Sequence, residues 1–191
     1  MAQPADPARS FADLYERIRA LPAGMTGEIL EPGEIRVMSR PGRRHRRTAK
    51  AMLRSLGPLD EDGDGAGWWI EVEAEVRFPG DRLAVPDLSA WRVDRVAELP
   101  EENPITILPD WCCEILSPTT ARGDKRLKLP MYAGSGVPWS WLVDPELCLL
   151  EVYETLQGRA ALTLAFEGDE TATLPPFGVE FALGRWWPPK A

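Results

Sequence analysis

The chain has 191 residues, the usual length of one compact domain, and 44% of them are hydrophobic and 27% charged. A buried core is therefore expected, and global disorder is excluded. No run of eighteen apolar residues occurs, so we expect no membrane span, and the N-terminus MAQPADPARS lacks the pattern of a signal peptide. Three cysteines cannot form a disulfide framework, which favours a reducing, cytoplasmic location.

The net charge of −8 conceals a strongly basic segment. Eight basic and no acidic residues lie between Arg36 and Arg54, whereas the rest of the chain has 14 basic and 30 acidic residues. This segment is expected to attract a polyanion that the remaining surface repels. A solvated helix face is the alternative interpretation. The candidate nucleic-acid contacts are Arg43, Arg44, His45, Arg47 and Lys50.

The first part of the chain alternates helical and extended patterns. Residues 1–9 are rich in proline and alanine and are expected to form a loose tail. Ser10 opens a helical pattern, with Asp13 in position for a capping box. Short strands at 27–30 and 34–38 precede a second helix at 43–56. That helix has Met52 and Leu56 on its apolar side and its arginines towards solvent or a ligand.

The second part of the chain is dominated by strands. Residues 68–78, WWIEVEAEVRF, alternate between apolar and charged side chains, the period of a half-buried strand. Further strands are predicted at 83–91, 111–116, 141–144, 149–153 and 162–166, with a helix at 120–133. The sequence therefore predicts one mixed α/β domain over residues 10–185, followed by a C-terminal tail at 186–191.

Two carboxylates lie in or next to predicted strands. Asp87 follows Pro86, and Glu114 lies within the apolar strand WCCEIL. If these strands pair, both carboxylates converge on one face and could hold a hard divalent cation such as Mg²⁺. The alternative is that Glu114 pairs with an arginine or lies at an exposed edge, because an isolated ionised carboxylate is costly to bury.

A helical repeat follows Glu114. Asp124, Lys128 and Tyr132 recur at i, i+4 and i+8 and therefore share a helix face. A lysine at this position could orient a water molecule or stabilise a pentavalent phosphate. As an isolated feature, Asp124 and Lys128 would be a surface ion pair. Pro130 is expected to disturb the helix directly behind Lys128.

Two other patterns favour structural explanations. Asp60, Asp62, Asp64, Gly65 and Glu71 match the spacing of an EF-hand calcium loop. A Gly-Pro pair ends the preceding helix, however, and Glu71 lies in an alternating strand, so a solvated acidic loop is the better interpretation. The neighbouring cysteines, at 112 and 113, point to opposite faces of a strand, and most of the eight tryptophans flank strands. Both features are therefore assigned to packing.

The segment EILSPTTARGDKRLKLPMYAGSGVPWSWLVDP, residues 114–145, resembles the Uma-type restriction-endonuclease family of the PD-(D/E)XK superfamily. The matching motifs are Pro86-Asp87, Glu114 to Pro118, Asp124, Lys128, Tyr132, Gly136 to Pro138 and Trp141 to Pro145. Weaker matches upstream include Glu28, Gly33-Glu34, Met38-Ser39 and His45. The resemblance covers roughly residues 25–180.

The resemblance implies a restriction-endonuclease-like fold, with a central mixed β-sheet flanked by helices. It also implies an Mg²⁺-dependent endodeoxyribonuclease, with Mn²⁺ as a possible substitute. Asp87 and Glu114 would bind the metal, Lys128 would be the catalytic lysine and Glu28 would add a carboxylate. DNA is the expected partner, and cutting both strands favours a homodimer. The alternative, favoured by Pro130 and the net charge of −8, is a catalytically degenerate module for nucleic-acid binding or protein assembly.

Overall fold

The structure of the protein, a computed structural model, describes residues 10–39, 41–60, 67–118 and 121–189. The expected N-terminal tail, residues 1–9, lies outside these ranges. Helix α1 spans Phe11–Arg19 and α2 spans Arg43–Leu56. A third helical stretch comprises α3 (Ala121–Gly123), a π-helical turn (Asp124–Lys128) and α4 (Leu129–Ser135). Among the described residues, none of the helices combines the length and the apolar character that a membrane-spanning helix requires.

The capping box predicted for α1 is confirmed. The Ser10 hydroxyl accepts a hydrogen bond from the Asp13 amide at 3.2 Å, and the Asp13 carboxylate accepts one from the Ser10 amide at 3.1 Å. These reciprocal bonds satisfy backbone donors that the first turn of a helix cannot pair internally. The buried side of α1, which carries Leu14 and Ile18, packs against Ile29 and Leu83.

Twelve strands are described. They are β1 (Met25–Glu28), β2 (Arg36–Ser39), β3 (Trp68–Val72), β4 (Val76–Phe78), β5 (Arg82–Ala84), β6 (Leu88–Arg92), β7 (Trp111–Ile115), β8 (Trp139–Asp144), β9 (Leu149–Leu156), β10 (Arg159–Glu167), β11 (Thr171–Leu174) and β12 (Val179–Ala182). Six of them form the central sheet, in the order β10-β9-β8-β7-β6-β3. In this sheet β7 and β8 run parallel, and the other neighbours are antiparallel. Three antiparallel pairs, β1–β2, β4–β5 and β11–β12, lie beside it. The expected mixed α/β architecture is confirmed.

Two predicted strands are divided in the structure. The continuous strand predicted at 68–78 is wrong, because Glu73 adopts a positive φ of 51° and separates β3 from β4. Val72, expected on the buried face, is 46% exposed. The strand predicted at 83–91 is likewise divided into β5 and β6 around Pro86. Proline lacks the N–H that a central strand would donate to its neighbour, so the break falls there.

The core occupies both faces of the central sheet. On one face, α2 contributes Met52 and Leu56, which pack with Cys113 and Trp141. On the other face, Cys112 packs with residues of α4 and of the β4–β5 pair. Because successive side chains of β7 point to opposite faces, the two cysteines fill different clusters, as predicted.

The C-terminal segment contributes to this core. Trp186, which the sequence places in the expected tail, is 1% exposed. Its ring stacks on Trp141, with 6.0 Å between the ring centroids, and contacts Phe181 of β12. The hairpin β11–β12, which our strand predictions omit, carries this aromatic group onto the sheet. Packed structure therefore continues past residue 185.

Candidate active site

The register of the sheet places Asp87 beside Glu114. Leu88 at the start of β6 pairs with Cys113 of β7, so Asp87, one residue earlier, lies next to Glu114 in the antiparallel register. The Asp87 carboxylate also accepts a hydrogen bond from the Ile115 amide at 2.6 Å. The two candidate carboxylates are therefore brought together, because the chain enters β6 at the level of the middle of β7.

Glu114 is buried, and each of its carboxylate oxygens accepts a hydrogen bond. Its side chain is 3% exposed. One carboxylate oxygen, Oε1, accepts a hydrogen bond from the Tyr132 hydroxyl at 2.5 Å, and the other, Oε2, lies 3.0 Å from the Lys128 ammonium. These partners make the burial of an ionised carboxylate possible. The partners of Glu114 are thus a lysine and a tyrosine from the predicted helix, not an arginine.

Lys128 lies at the centre of an acidic cluster. Its ammonium is 2.7 Å from Glu28 Oε1 and 4.0 Å from Asp124 Oδ1, in addition to its contact with Glu114. Glu28 Oε1 also accepts a hydrogen bond from the Val85 amide at 2.9 Å, which fixes this carboxylate near the β5–β6 junction. The cluster is therefore assembled from β1, β7 and the helical stretch at 121–135.

Pro130 does not prevent Lys128 from reaching the cluster. Residues 124–128 form a wider, π-helical turn, in which the Leu129 amide donates to the Asp124 carbonyl. Pro130 then lies in the first turn of α4, where a helix tolerates the missing N–H. Lys128 and Tyr132 are both buried and both contact Glu114, as their spacing predicts.

His45 joins the site from α2. Its Nε2 atom is 2.9 Å from Asp87 Oδ1, and the imidazole is buried. Because a carboxylate oxygen accepts at this position, Nε2 is the donor of this hydrogen bond. The other ring nitrogen, Nδ1, is buried and has no hydrogen-bond partner among the described residues. The single histidine is therefore part of the site rather than a solvated helix residue.

Burial and mutual repulsion shape the titration of this cluster. Burial raises the pKa of the Glu114 carboxyl well above its ordinary value, and the neighbouring Asp87 and Asp124 raise it further, although Lys128 opposes them. Burial alone would lower the pKa of Lys128, but the surrounding carboxylates outweigh it and raise that pKa. Lys128 is therefore held as an ammonium ion at neutral pH.

The donor set of the cluster suits a hard cation. Carboxylates from Glu28, Asp87, Glu114 and Asp124 surround one ammonium, which leaves an excess of negative charge, and carboxylate oxygens are the ligands that Mg²⁺ prefers. Within the described residues, however, no three acidic, histidine or cysteine side chains form a ready metal site. In the conformation described, Lys128 occupies the centre of the cluster.

A cleft of about 560 Å³ opens onto this cluster. Asp87, Glu114 and Lys128 contribute to its wall, and Pro41 and Gly42, just before α2, form part of its rim. Glu73 also lines the cleft. We did not predict Glu73 as a site residue, because its place in an alternating strand assigned it to a solvated face.

Among the predicted nucleic-acid contacts, only His45 lines this cleft. Arg43, Arg47 and Lys50 lie on the opposite side of α2 and line a different groove. Arg44 has partners within the chain. Its guanidinium lies 2.7 Å from the Glu146 carboxylate and donates to the Pro145 carbonyl at 2.9 Å. These contacts leave the Arg44 side chain 29% exposed, and a contact between Arg44 and nucleic acid stays a prediction.

The EF-hand spacing does not gain support from the structure. Asp62, Asp64 and Gly65 lie outside the described residues. Asp60 accepts a hydrogen bond from the Ile70 amide at 3.0 Å, and Glu71 lies within β3 rather than in an exiting helix.

The carboxylate-lined cleft lies on the central sheet beside β7, which is parallel to β8 and antiparallel to β6. A crystal structure of a protein from Anabaena variabilis ATCC 29413, described as a putative nuclease belonging to DUF820, superimposes with a TM-score of 0.73. The alignment covers 94% of this chain and 97% of that chain at 22% sequence identity, a likeness that shows the fold. No curated protein matches the chain.

The Uma2 family model, described as a putative restriction endonuclease, matches residues 13–184. The chain belongs to this family. The family and the fold implied by the segment at 114–145 are therefore confirmed. The chain is a member of a nuclease-related family. The roles of the individual site residues, the metal and the nucleic acid remain predictions.

Proposed function

We propose that this protein is a metal-dependent endonuclease that hydrolyses DNA phosphodiester bonds in the cleft beside Asp87. The observation that carries the proposal is the buried cluster in which Lys128 lies between Glu28 and Glu114. Family membership supports it. The cleft volume of about 560 Å³ is large enough for a nucleotide-sized segment of the substrate.

Asp87 and Glu114 would hold Mg²⁺, or Mn²⁺ in its place. When bound, such an ion polarises the phosphodiester and lowers the pKa of its bound water. The raised pKa of Lys128 indicates that this residue acts as a cation rather than as a base. Lys128 would orient the attacking water and stabilise the negative charge on the oxygens of the pentavalent phosphate. Glu28 and Asp124 keep the ammonium in place, and Tyr132 fixes Glu114.

His45 is proposed to position Asp87. A hydrogen bond from Nε2 fixes one oxygen of this carboxylate, and the Ile115 amide fixes the other. Two fixed oxygens restrict the rotation of the carboxylate and therefore the position of any ion that it binds. A homodimer is the economical assembly for cutting two strands. The expected location is the cytoplasm, in keeping with three free cysteines.

Calorimetric titration with Mg²⁺ and Mn²⁺ tests the metal site, with Asp87→Asn and Glu114→Gln as variants. Asp94→Asn is the control, because Asp94 pairs with Arg92 at the surface. We expect binding to the native chain and to the control, and its loss in both site variants. Supercoiled plasmid should likewise be cleaved by the native chain and by the control, and by neither site variant. Binding that survives in both site variants would refute the proposed metal ligands.

The second candidate is a catalytically degenerate module that binds nucleic acid or another protein. The occupation of the cluster centre by Lys128, together with the lack of a ready metal site among the described residues, favours it. Plasmid DNA, single-stranded DNA and RNA that all stay intact with either metal would establish this alternative, provided that the same preparation binds nucleic acid.

A further inference from the structure

Helix α2 has a basic face that points away from the cleft. Successive residues of an α-helix are rotated by about 100°, so residues at positions 43, 46, 47, 50 and 54 share one side. The opposite side carries His45 and the buried Thr48, Met52 and Leu56. Arg185, which follows β12, joins the basic face. The resulting groove has a volume of about 470 Å³ and is lined by the basic residues Arg43, Arg46, Arg47, Lys50, Arg54 and Arg185, together with Trp187.

The positive charge of this groove is not balanced within the described part of the chain. No acidic residue of that part lines the groove. Among the six cations of the groove, only Arg46 has a polar partner within the described part of the chain, the Pro41 carbonyl. All six cations are exposed, and like charges spaced three or four residues apart destabilise a helix. A chain of net charge −8 therefore concentrates uncompensated positive charge on one surface, which is the electrostatic footprint of a site for a polyanion.

An aromatic ring stands beside these cations. Trp187 is half-buried and lines the groove. Its indole N–H donates to the Gly168 carbonyl, and its ring packs edge-on against Trp186 at 6.3 Å between centroids. The ring is thus held in place before any ligand binds. Basic side chains that follow a backbone, combined with a fixed aromatic ring, are the arrangement that binds single nucleic-acid strands.

The groove begins where the cleft ends. Pro41, Gly42 and His45 line the cleft, and Arg43 and Arg46 line the groove. The N-terminus of α2 therefore belongs to both sites, and a strand that leaves the cleft over Gly42 reaches Arg43 first. From Arg43 to Arg54 the helix extends roughly 16 Å, which gives room for several phosphates of one strand.

We propose that this groove binds a single nucleic-acid strand that flanks the segment held in the cleft. The proposal rests on the proposed function for the identity of the substrate. An acidic peptide would also satisfy the cations, but the fixed ring of Trp187 favours a ligand with bases. The groove would then act as a second, sequence-tolerant contact that retains the substrate while the cleft engages one phosphodiester.

The test measures binding of the full chain to a fluorescein-labelled 30-nucleotide single strand by anisotropy, without divalent metal and over a series of salt concentrations. Lys50→Glu and Arg54→Glu are the variants. Arg159→Glu, at the first residue of β10, is the control with the same change of charge. We expect each groove variant to bind about tenfold or more weakly and to reduce the slope of log affinity against log salt by about 0.7 for each phosphate that is no longer neutralised. The control should resemble the native chain.

Trp187→Ala provides an independent measurement, since removal of the stacking ring should weaken binding about tenfold while leaving the salt slope unchanged. Polyglutamate of similar length is the competing probe. Equal affinity of the native chain and both charge-reversed groove variants would overturn the proposal. So would polyglutamate that binds as tightly as the oligonucleotide. Strand binding by the native chain, with plasmid DNA, single-stranded DNA and RNA all left intact after Mg²⁺ or Mn²⁺ is added, would instead support the groove and refute the nuclease. Metal-dependent cleavage with unaltered binding by the groove variants would support the nuclease and refute the groove.

Discussion

Replacing Lys128 by methionine should destabilise the protein strongly. The ammonium is buried and lies 2.7 Å from Glu28 and 3.0 Å from Glu114. Removing one partner of a buried ion pair leaves uncompensated charge and costs about 3–5 kcal/mol. In a domain of this size, that cost corresponds to a decrease of about 6–20 °C in melting temperature at neutral pH. Because methionine keeps most of the side-chain volume, the decrease in stability can be attributed to the loss of the positive charge.

The destabilisation should depend on pH with a definite sign. Lys128 lowers the pKa of Glu114, which burial holds above the ordinary value of 4.5. Without the ammonium, the folded-state pKa of Glu114 rises further. A group whose pKa is raised on folding contributes stability below its unfolded pKa and loses it as the pH rises through the folded value. The variant should therefore differ least from the native protein near pH 4.5 and increasingly above it.

Urea unfolding of both proteins between pH 4.5 and pH 8 checks this prediction. Lys125→Met is the matched control, because Lys125 lies on the same helical stretch and pairs with Glu151 at 2.6 Å while 45% exposed. A pair at the surface contributes about 0–1 kcal/mol. If Lys128→Met loses the same free energy of unfolding at pH 4.5 and at pH 8, the ammonium does not neutralise the cluster and the electrostatic argument is wrong. Plasmid cleavage should also disappear in this variant.

Three further substitutions test other contacts by urea unfolding. Tyr132→Phe removes the hydroxyl that donates to Glu114. The free energy of unfolding should decrease by about 1–3 kcal/mol, because a buried acceptor is left without its partner. A decrease below about 0.5 kcal/mol would contradict that hydrogen bond. Gly27→Ala should cost about 1–3 kcal/mol, since its Cβ would lie 2.6 Å from Ile18 Cγ1. At Gly134 the new Cβ would have no atom within 4 Å beyond its chain neighbours and the backbone of its own helix. Gly134→Ala should therefore stabilise α4 by up to about 1 kcal/mol, and equal effects of the two alanines would refute the steric reasoning.

Features that depend on local spacing could be predicted from the sequence. The capping box of α1 needs only a serine and an aspartate three residues apart. The opposite burial of Cys112 and Cys113 follows from strand alternation. Lys128 and Tyr132 contact the same carboxylate because residues four apart share a helix face. In these cases the geometry of one element decides the outcome, so no knowledge of its neighbours is required.

Features that depend on distant partners could not be predicted in this way. The contact between His45 and Asp87 joins residues of α2 and the β6 entry, which only the packing of α2 on the sheet brings together. Glu73 reaches the cleft because its positive φ ends β3, and an alternating pattern gives no sign of that break. The sequence likewise does not show which side of α2 faces the cleft, so it cannot separate His45 from arginines that lie on the opposite face.

Helix α2 connects the two proposed contacts with substrate. Its 14 residues extend roughly 21 Å, with a buried side that places His45 against Asp87 and a basic side that lines the groove. Because the two sides are separated by half a turn, one nucleic-acid strand reaches both only by crossing the N-terminus of the helix at Gly42. The effect of a substitution on α2 should therefore depend on the face of the helix that carries it. Changes on the buried side affect Asp87 and the chemistry, and changes on the basic side affect strand binding and its salt dependence.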